Sequence, residues 1–85
     1  MDVRYTAAAQ DQFAELPNAI KARVLRLAER LVHWPAVSGA KALSGDLAGR
    51  YRMRTGDYRL QFWIDHEHET IVIEKIGHRD GFYDE

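Results

Sequence analysis

Residues 50 to 65, RYRMRTGDYRLQFWID, contain the strongest structural signal in this 85-residue chain. Arginine alternates with apolar or β-prone side chains from Arg50 to Thr55, and a period of two is typical of a strand. Gly56 and Asp57 then form a two-residue turn, because glycine tolerates the positive φ that such a turn requires. Residues 58 to 65 alternate again and return antiparallel to the first run. The stretch therefore predicts a β-hairpin.

The two-residue turn sets the register of this hairpin and sorts its side chains onto two faces. One face is apolar and consists of Tyr51, Met53, Tyr58, Leu60, Phe62 and Ile64. The other is cationic and consists of Arg50, Arg52, Arg54, Arg59, Gln61 and Trp63. On it Arg54 lies opposite Arg59, and paired like charges destabilise a sheet by on the order of a few tenths of a kcal/mol. A polyanion would relieve this repulsion, since guanidinium matches phosphate and Trp63 can stack on a base. The cationic face is interpreted as a nucleic-acid platform, with an ordinary solvated sheet face as the alternative.

Two helices are predicted before the hairpin. Residues 3 to 5 are β-prone, and Thr6 is a suitable N-cap for a helix from Ala7 to about Leu16. A longer helix follows Pro17, and its apolar residues recur at helical spacing: Ile20, Val24, Leu27, Ala28 and Leu31.

The remaining segments complete an α+β order. Pro35 ends the second helix near Trp34, which we expect to plug the core, and scattered glycines predict an irregular connection to the hairpin. Residues 70 to 76 form a third strand of open register, because one choice points Lys75 inward and the other Glu74. A strand, two helices and a three-stranded meander are typical of an α+β fold. A chain of this length forms one core, so residues 1 to 85 are predicted to be a single domain.

Charge and absent residue types narrow the function. The formal net charge is −1, whereas nucleic-acid-binding domains are usually strongly basic. The charge is segregated, however, with four arginines against one acid in residues 50 to 59 and three acids in residues 65 to 69. The absence of cysteine excludes disulfides, thiolate-bound zinc and cysteine nucleophiles. No apolar run reaches the roughly twenty residues of a membrane span, and the first residues lack a signal-peptide core, so we expect a cytoplasmic protein without a membrane partner.

Titratable side chains gather in two further places. His66 and His68 could chelate a metal with the neighbouring acids, but a tight polar turn explains them better, so no metal is predicted. After the last predicted strand, His78, Arg79 and Tyr83 provide an imidazole, a guanidinium and a phenol. Cleavage of RNA by the ribose 2′-hydroxyl needs a base, an acid and cations, and of these groups only imidazole titrates near neutrality. The alternative is a purely structural use of these three side chains.

Four segments together resemble the RelE branch of the RelE/ParE toxin superfamily: Leu16-Pro17, Lys41-Ala42-Leu43, Gly49–Leu60 and Gly77-His78-Arg79 up to Tyr83. They span nearly the whole chain. The resemblance implies a twisted antiparallel sheet with two N-terminal helices packed on one face, in β-α-α-β-β-β order. It also implies a toxin without a cofactor that cleaves mRNA in the ribosomal A site. Such a toxin is neutralised by a cognate antitoxin in a hetero-oligomer.

The resemblance also assigns roles by position. Arg59 is similar to a phosphate-stabilising arginine, Arg79 to an arginine near the leaving group, and Tyr83 to a tyrosine that orients or stacks on the RNA. The catalytic residues are thus predicted to be Arg52, Arg59, His78, Arg79 and Tyr83. The RNA-binding residues are predicted to be Arg50, Arg54, Gln61 and Trp63.

The chain departs from the family pattern at the base. Arg50 and Arg52 stand where well-studied members have lysines, one of them a proposed base, and arginine is a poor proton acceptor. His78 becomes the better candidate for the base. Alternatively, positioning and charge stabilisation do most of the work, and the enzyme is slow.

Two other functions stay open. The ParE branch shares the fold but inhibits DNA gyrase by binding, and the near-neutral net charge and missing lysines favour it. His78, Arg79 and Tyr83 argue against it, since a pure binder does not need them. The other possibility is an inactive relative that retains only antitoxin binding, through an amphipathic helix or added strand whose acids cover residues 50 to 59.

Overall fold

Five strands form one sheet, and two helices pack on one of its faces. The computed structural model describes residues 1 to 82. Its strands are β1 (Asp2–Tyr5), β2 (Lys41–Ala42), β3 (Arg50–Thr55), β4 (Tyr58–Asp65) and β5 (Thr70–His78). Its helices are α1 (Ala7–Ala14) and α2 (Asn18–Leu31), and a 3-10 turn spans Gly45–Leu47. The predicted α+β architecture and element order are confirmed.

Two features of the sheet go beyond the predicted antiparallel meander. The strand order is β1-β5-β4-β3-β2, and β1 pairs with β5 in parallel, so the sheet is mixed. The helices lie in the connection between β1 and the hairpin and leave β1 at the sheet edge beside β5. β2 is a two-residue strand on the outer side of β3, within the connection predicted to be irregular. Two residues are too few to show an alternating pattern.

The helix boundaries follow local chemistry. Thr6 caps α1 as predicted, because its side-chain oxygen accepts a hydrogen bond from the amide of Ala9 at 3.1 Å. α1 ends at Ala14 rather than about residue 16, and α2 ends at Leu31 rather than near Trp34. The next three amides after α2 donate to carbonyls three positions back. An apolar pattern does not distinguish such a terminal turn from a last turn of helix.

The core lies between the helices and the apolar face of the sheet. Its most deeply buried members come from both layers: Ala9, Val24, Leu27, Leu31, Met53, Leu60, Phe62, Ile71, Ile73 and Ile76. Trp34 packs against this cluster, with its ring centroid 4.9 Å from that of Tyr51 and 5.6 Å from that of Phe62. The predicted core plug is therefore confirmed. Neither described helix has the length and apolar content of a membrane span.

The hairpin register is the predicted one. β3 and β4 pair from Thr55 opposite Tyr58 to Arg50 opposite Trp63, with no slip between them. Gly56 has the expected positive φ of 58°.

The third strand contains an irregularity that resolves its open register. Gln61 pairs with Lys75 but Phe62 pairs with Ile73, so Glu74 is the extra residue of a β-bulge. Ile73 and Ile76, on either side of the bulge, are both buried in the core. Neither Glu74 nor Lys75 points inward.

Candidate nucleic-acid interface

The sheet face away from the helices, called the arginine face below, carries three rows of side chains from neighbouring strands. The row nearest the hairpin turn contains Arg54, Arg59 and Gly77. The second row contains Lys41, Arg52, Gln61 and Lys75, and the third contains Arg50, Trp63, Val72 and Arg4. Successive rows lie about 6.7 Å apart, because every second residue of a strand points to the same face. The rows hold seven Arg or Lys side chains, so this face is positive although the whole chain is not.

Arg54 and Arg59 form a like-charged pair, and no acidic side chain within residues 1 to 82 is ion-paired with either of them. They are directly opposite on β3 and β4, as predicted. One terminal nitrogen of Arg59, Nη1, is buried and has no hydrogen-bond partner among residues 1 to 82. An unsatisfied buried donor costs about 1–3 kcal/mol, and more when the group is charged. The pair therefore offers an external anion two guanidinium groups that the described chain leaves unpaired.

The other cationic residues differ in how free they are. Arg52 lies between Lys41 and Gln61 on the neighbouring strands. Arg50, by contrast, is already engaged: its Nε lies 2.9 Å from a carboxylate oxygen of Glu74, and its guanidinium lies 5.9 Å from the centre of the Trp63 ring. The predicted RNA-binding residues thus share one face, but Arg50 is already paired with Glu74.

His78 lies on the opposite side of the sheet from Arg59. It is the last residue of β5 and pairs with Tyr58, whose ring it meets edge to face at 5.2 Å between centroids. Since Tyr58 and Arg59 are neighbours on a strand, their side chains point to opposite faces. Nδ1 of His78 accepts a hydrogen bond from the amide of Asp80 at 3.1 Å, so a neutral ring carries its proton on Nε2.

Arg79 and Phe82 return to the arginine face. The amide of Arg79 donates to the carbonyl of Asp57 at 2.7 Å, which extends the β4–β5 ladder by one step, and alternation places Arg79 on the side of Gly77. Its guanidinium is exposed, 3.8 Å from the Asp57 carboxylate and 3.7 Å from that of Asp80. Phe82 is buried over Gly77, where an added Cβ would lie 3.4 Å from the ring.

The structure brings together most, but not all, of the predicted site residues. The arginine face holds the predicted Arg50, Arg52, Arg54, Arg59, Gln61 and Trp63, and Arg79 joins them by strand alternation. His78 does not lie with them, and Tyr83 falls outside the described residues. Lys41, Lys75, Arg4 and Glu74 were missed, because nothing in the local sequence marks a two-residue strand, a parallel edge strand or a bulge.

The acidic turn between β4 and β5 has a structural explanation. Nδ1 of His68 lies 2.8 Å from a carboxylate oxygen of Asp65, and the His68 amide donates to the other oxygen at 3.2 Å. The hydrogen bond from the His68 side chain lowers the pKa of the Asp65 carboxyl below its usual range. Within residues 1 to 82 no group of three His, Asp or Glu side chains is arranged to hold a metal ion.

Comparison with known proteins gives one consistent family. Residues 3–81 match the family described as ParE toxin of type II toxin-antitoxin system, parDE. The chain is 37% identical over 81 residues to Toxin RelG of Mycobacterium tuberculosis, covering 95% of this chain and 93% of that protein.

Solved structures agree with this grouping. The toxin-antitoxin complex RelBE2 of Mycobacterium tuberculosis contains a chain that superimposes with a TM-score of 0.81 and 39% identity, covering 92% of this chain and 90% of that one. The archaeal RelE-RelB complex of Pyrococcus horikoshii gives a TM-score of 0.72 at 26% identity, covering 92% and 93%. The isolated E. coli RelE toxin shares the fold, with a TM-score of 0.77 at 13% identity over 91% of this chain and 82% of that one.

Proposed function

The chain belongs to the ParE toxin family of type II toxin–antitoxin systems, within the RelE/ParE superfamily, and from this premise we propose that it is an endoribonuclease that cleaves mRNA. The observation that most supports the proposal is the Arg54–Arg59 pair, with a buried guanidinium nitrogen that no described residue satisfies. A phosphodiester between the two side chains would accept hydrogen bonds from both guanidinium groups and remove their repulsion.

The proposed reaction is attack of a ribose 2′-oxygen on the adjacent phosphorus, with breakage of the bond to the 5′-oxygen. The 2′-hydroxyl loses its proton and the departing 5′-oxygen gains one. Negative charge grows on the non-bridging oxygens, where Arg59 and Arg54 would bind, while Arg52 and Arg79 would flank the strand from neighbouring rows. Cationic or hydrogen-bonding groups that act on developing charge each contribute about 10²–10³ in rate.

His78 fits the role of acid better than that of base. With Nδ1 accepting from the amide of Asp80, the neutral ring carries its proton on Nε2 and has no free lone pair with which to act as base. An imidazolium would place its Nδ1–H toward the Asp80 carboxylate oxygen, 3.5 Å away, and could donate its Nε2 proton to a departing oxygen. His78 and Tyr58 lie on the side of the sheet that the helices cover. The RNA strand would therefore have to bend around the end of the sheet to reach His78. We therefore expect charge stabilisation and positioning by the arginines to do most of the work.

The relatives indicate the partners to be expected. Similar chains occur in complexes of RelE with RelB antitoxins, and we propose that a cognate antitoxin binds this chain and covers the arginine face with acidic side chains. We propose further that the substrate is mRNA in the ribosomal A site and that the toxin acts in the cytoplasm. Inhibition of DNA gyrase by binding is the second candidate, because the matching family carries the ParE name.

The test is induced expression in a host that lacks the antitoxin, followed by primer extension on a reporter mRNA. Cuts within codons of translated message are expected, and Arg59→Ala should remove them. Arg26→Ala is the matched control, since it deletes an exposed arginine of α2 far from the arginine face. Growth arrest with intact message and a DNA-damage response would instead favour gyrase inhibition.

His78→Ala separates the two accounts of the chemistry. If positioning and charge dominate, cleavage by purified ribosomes and toxin should fall less than tenfold, whereas loss of a dominant acid would cost about 10²–10⁴. Full activity would remove His78 from the reaction altogether.

A further inference from the structure

The β-bulge of β5 places one carboxylate among the cations of the arginine face. One oxygen of Glu74 lies 2.9 Å from Nε of Arg50 and 2.9 Å from Nε2 of Gln61, and the other lies 3.4 Å from a terminal nitrogen of Arg50. Trp63 lies beside the Arg50 guanidinium. These four residues are called the Glu74 cluster below.

Glu74 is held in this place by the fold rather than by chance rotation of an exposed side chain. Its side chain is only 20% exposed. Gln61 is itself nearly buried, and a buried amide needs an acceptor, which Glu74 supplies. β-Bulges often re-aim a side chain beside a functional site, and here the extra residue brings the carboxylate to the Arg50 fork.

The Arg50 fork is thereby occupied by an acceptor of the kind that a nucleic acid would present. A guanidinium fork fits the paired oxygens of a carboxylate and of a phosphate alike. Arg54 and Arg59, two rows or about 13 Å away along the strands, have no such acceptor in the described chain. Within residues 1 to 82, the arginine face therefore has an internal acceptor at the Glu74 cluster and none at the Arg54–Arg59 pair.

We propose that Arg50 forms a second phosphodiester-binding subsite for the RNA strand that extends from the phosphate at Arg59, and that Glu74 keeps this subsite closed by taking the place of phosphate. The inference rests on the proposed function. It adds Glu74 as a residue that weakens binding of the RNA beyond the phosphate at Arg59. A phosphate entering this subsite has to displace the carboxylate. Phosphate binding is thereby concentrated at the hairpin end of the face.

The Glu74→Gln substitution tests this directly. It keeps the side-chain size and an oxygen for Gln61 but removes the charge that competes for Arg50. One additional phosphate contact steepens the dependence of log K on log salt by about 0.7 for single strands. Raising the salt from 50 to 200 mM should therefore weaken RNA binding by the variant about 2.6-fold more than it weakens binding by the wild-type protein. Binding at 50 mM salt should be tighter than in the wild-type protein.

Binding is measured with a 2′-O-methylated oligoribonucleotide, which lacks the hydroxyl needed for the proposed cleavage. Glu67→Gln is the matched control, because it removes the same charge from the exposed turn. The double variant Arg50→Gln/Glu74→Gln should lose the gain if the new contact runs through Arg50. Thermal melting verifies that each variant is folded.

The outcomes separate this inference from the proposed function. Tighter binding and a steeper salt slope in Glu74→Gln alone support the closed subsite. Binding equal to that of Glu67→Gln, or weaker binding by a folded Glu74→Gln protein, overturns it. Failure of wild-type protein to bind RNA at any salt rejects the proposed function instead. In that case, elution from immobilised heparin still tests whether Glu74 closes the subsite at Arg50. The subsite is overturned if Glu74→Gln and Glu67→Gln elute at the same salt concentration.

Discussion

Arg59→Met is expected to make the isolated domain more stable while it destroys the candidate site. The substitution removes the repulsion with Arg54, worth about 0.2–1 kcal/mol for like charges opposite each other in a sheet. It also removes a buried donor that has no partner among residues 1 to 82, worth about 1–3 kcal/mol. Methionine keeps much of the apolar stem, so little packing is lost.

The remainder of the Arg59 guanidinium is partly hydrated, so the lower part of this range applies and we expect a gain of about 1.5 kcal/mol. For a domain of this size that gain raises the melting temperature by about 6–12 °C. The assay is calorimetric or circular-dichroism melting of the purified toxin without its antitoxin.

Arg54→Met isolates the repulsion, because Arg54 is exposed and loses no buried donor. It should gain less than 1 kcal/mol, and that gain should shrink at 1 M salt, where screening shortens the Debye length to about 3 Å. Most of the Arg59→Met gain should persist at high salt. A melting temperature of Arg59→Met at or below that of the wild-type protein would refute the reasoning that Arg59 is kept unpaired for a ligand.

Three further predictions concern the fold around the site. Trp34→Ala should cost about 3 kcal/mol in urea unfolding, because it removes the ring that packs edge to face against both Tyr51 and Phe62, and Trp34→Phe should cost less. Thr6→Ala should cost about 1 kcal/mol through loss of the α1 cap, whereas Thr6→Ser should retain most of the stability. The pKa of Asp65 is lowered by His68, so this contact stabilises the fold above the pKa of an ordinary aspartate and is lost as pH falls through the folded pKa. In NMR titration Asp65 should show a low midpoint that rises in His68→Ala; an unchanged midpoint would contradict this account.

The hairpin could be predicted from the sequence because its determinants are local. Gly56 and the alternation on either side of it set the register, and the register alone places Arg54 opposite Arg59 and separates Arg52 from Met53. The cap of α1 and the apolar stripe of α2 are equally local, since each depends on residues within a few positions of one another.

The composition of the candidate site depended on contacts between distant segments. Lys41 and Arg4 reach the arginine face because β2 and β1 add to opposite edges of the sheet. The sequence predicts that His78 acts beside its neighbour Arg79, because imidazole is better suited than guanidinium to accept a proton. Strand alternation instead sends the two neighbours to opposite sides.

Local patterns in the sequence are sufficient to predict which residues form the hairpin, which of its faces is buried and where the positive charge gathers, because turn type and strand period act over a few residues. The parallel pairing of β1 and the bulge of β5 at Glu74 arise from contacts between distant segments. The same contacts leave Arg50 paired with Glu74, whereas a buried nitrogen of Arg59 has no partner within residues 1 to 82. The bulge satisfies two demands at once. Ile73 and Ile76 have to be buried against the same core, and no unbroken alternation between them does so. Glu74 is the extra residue of this bulge, and its carboxylate pairs with Arg50 on the arginine face.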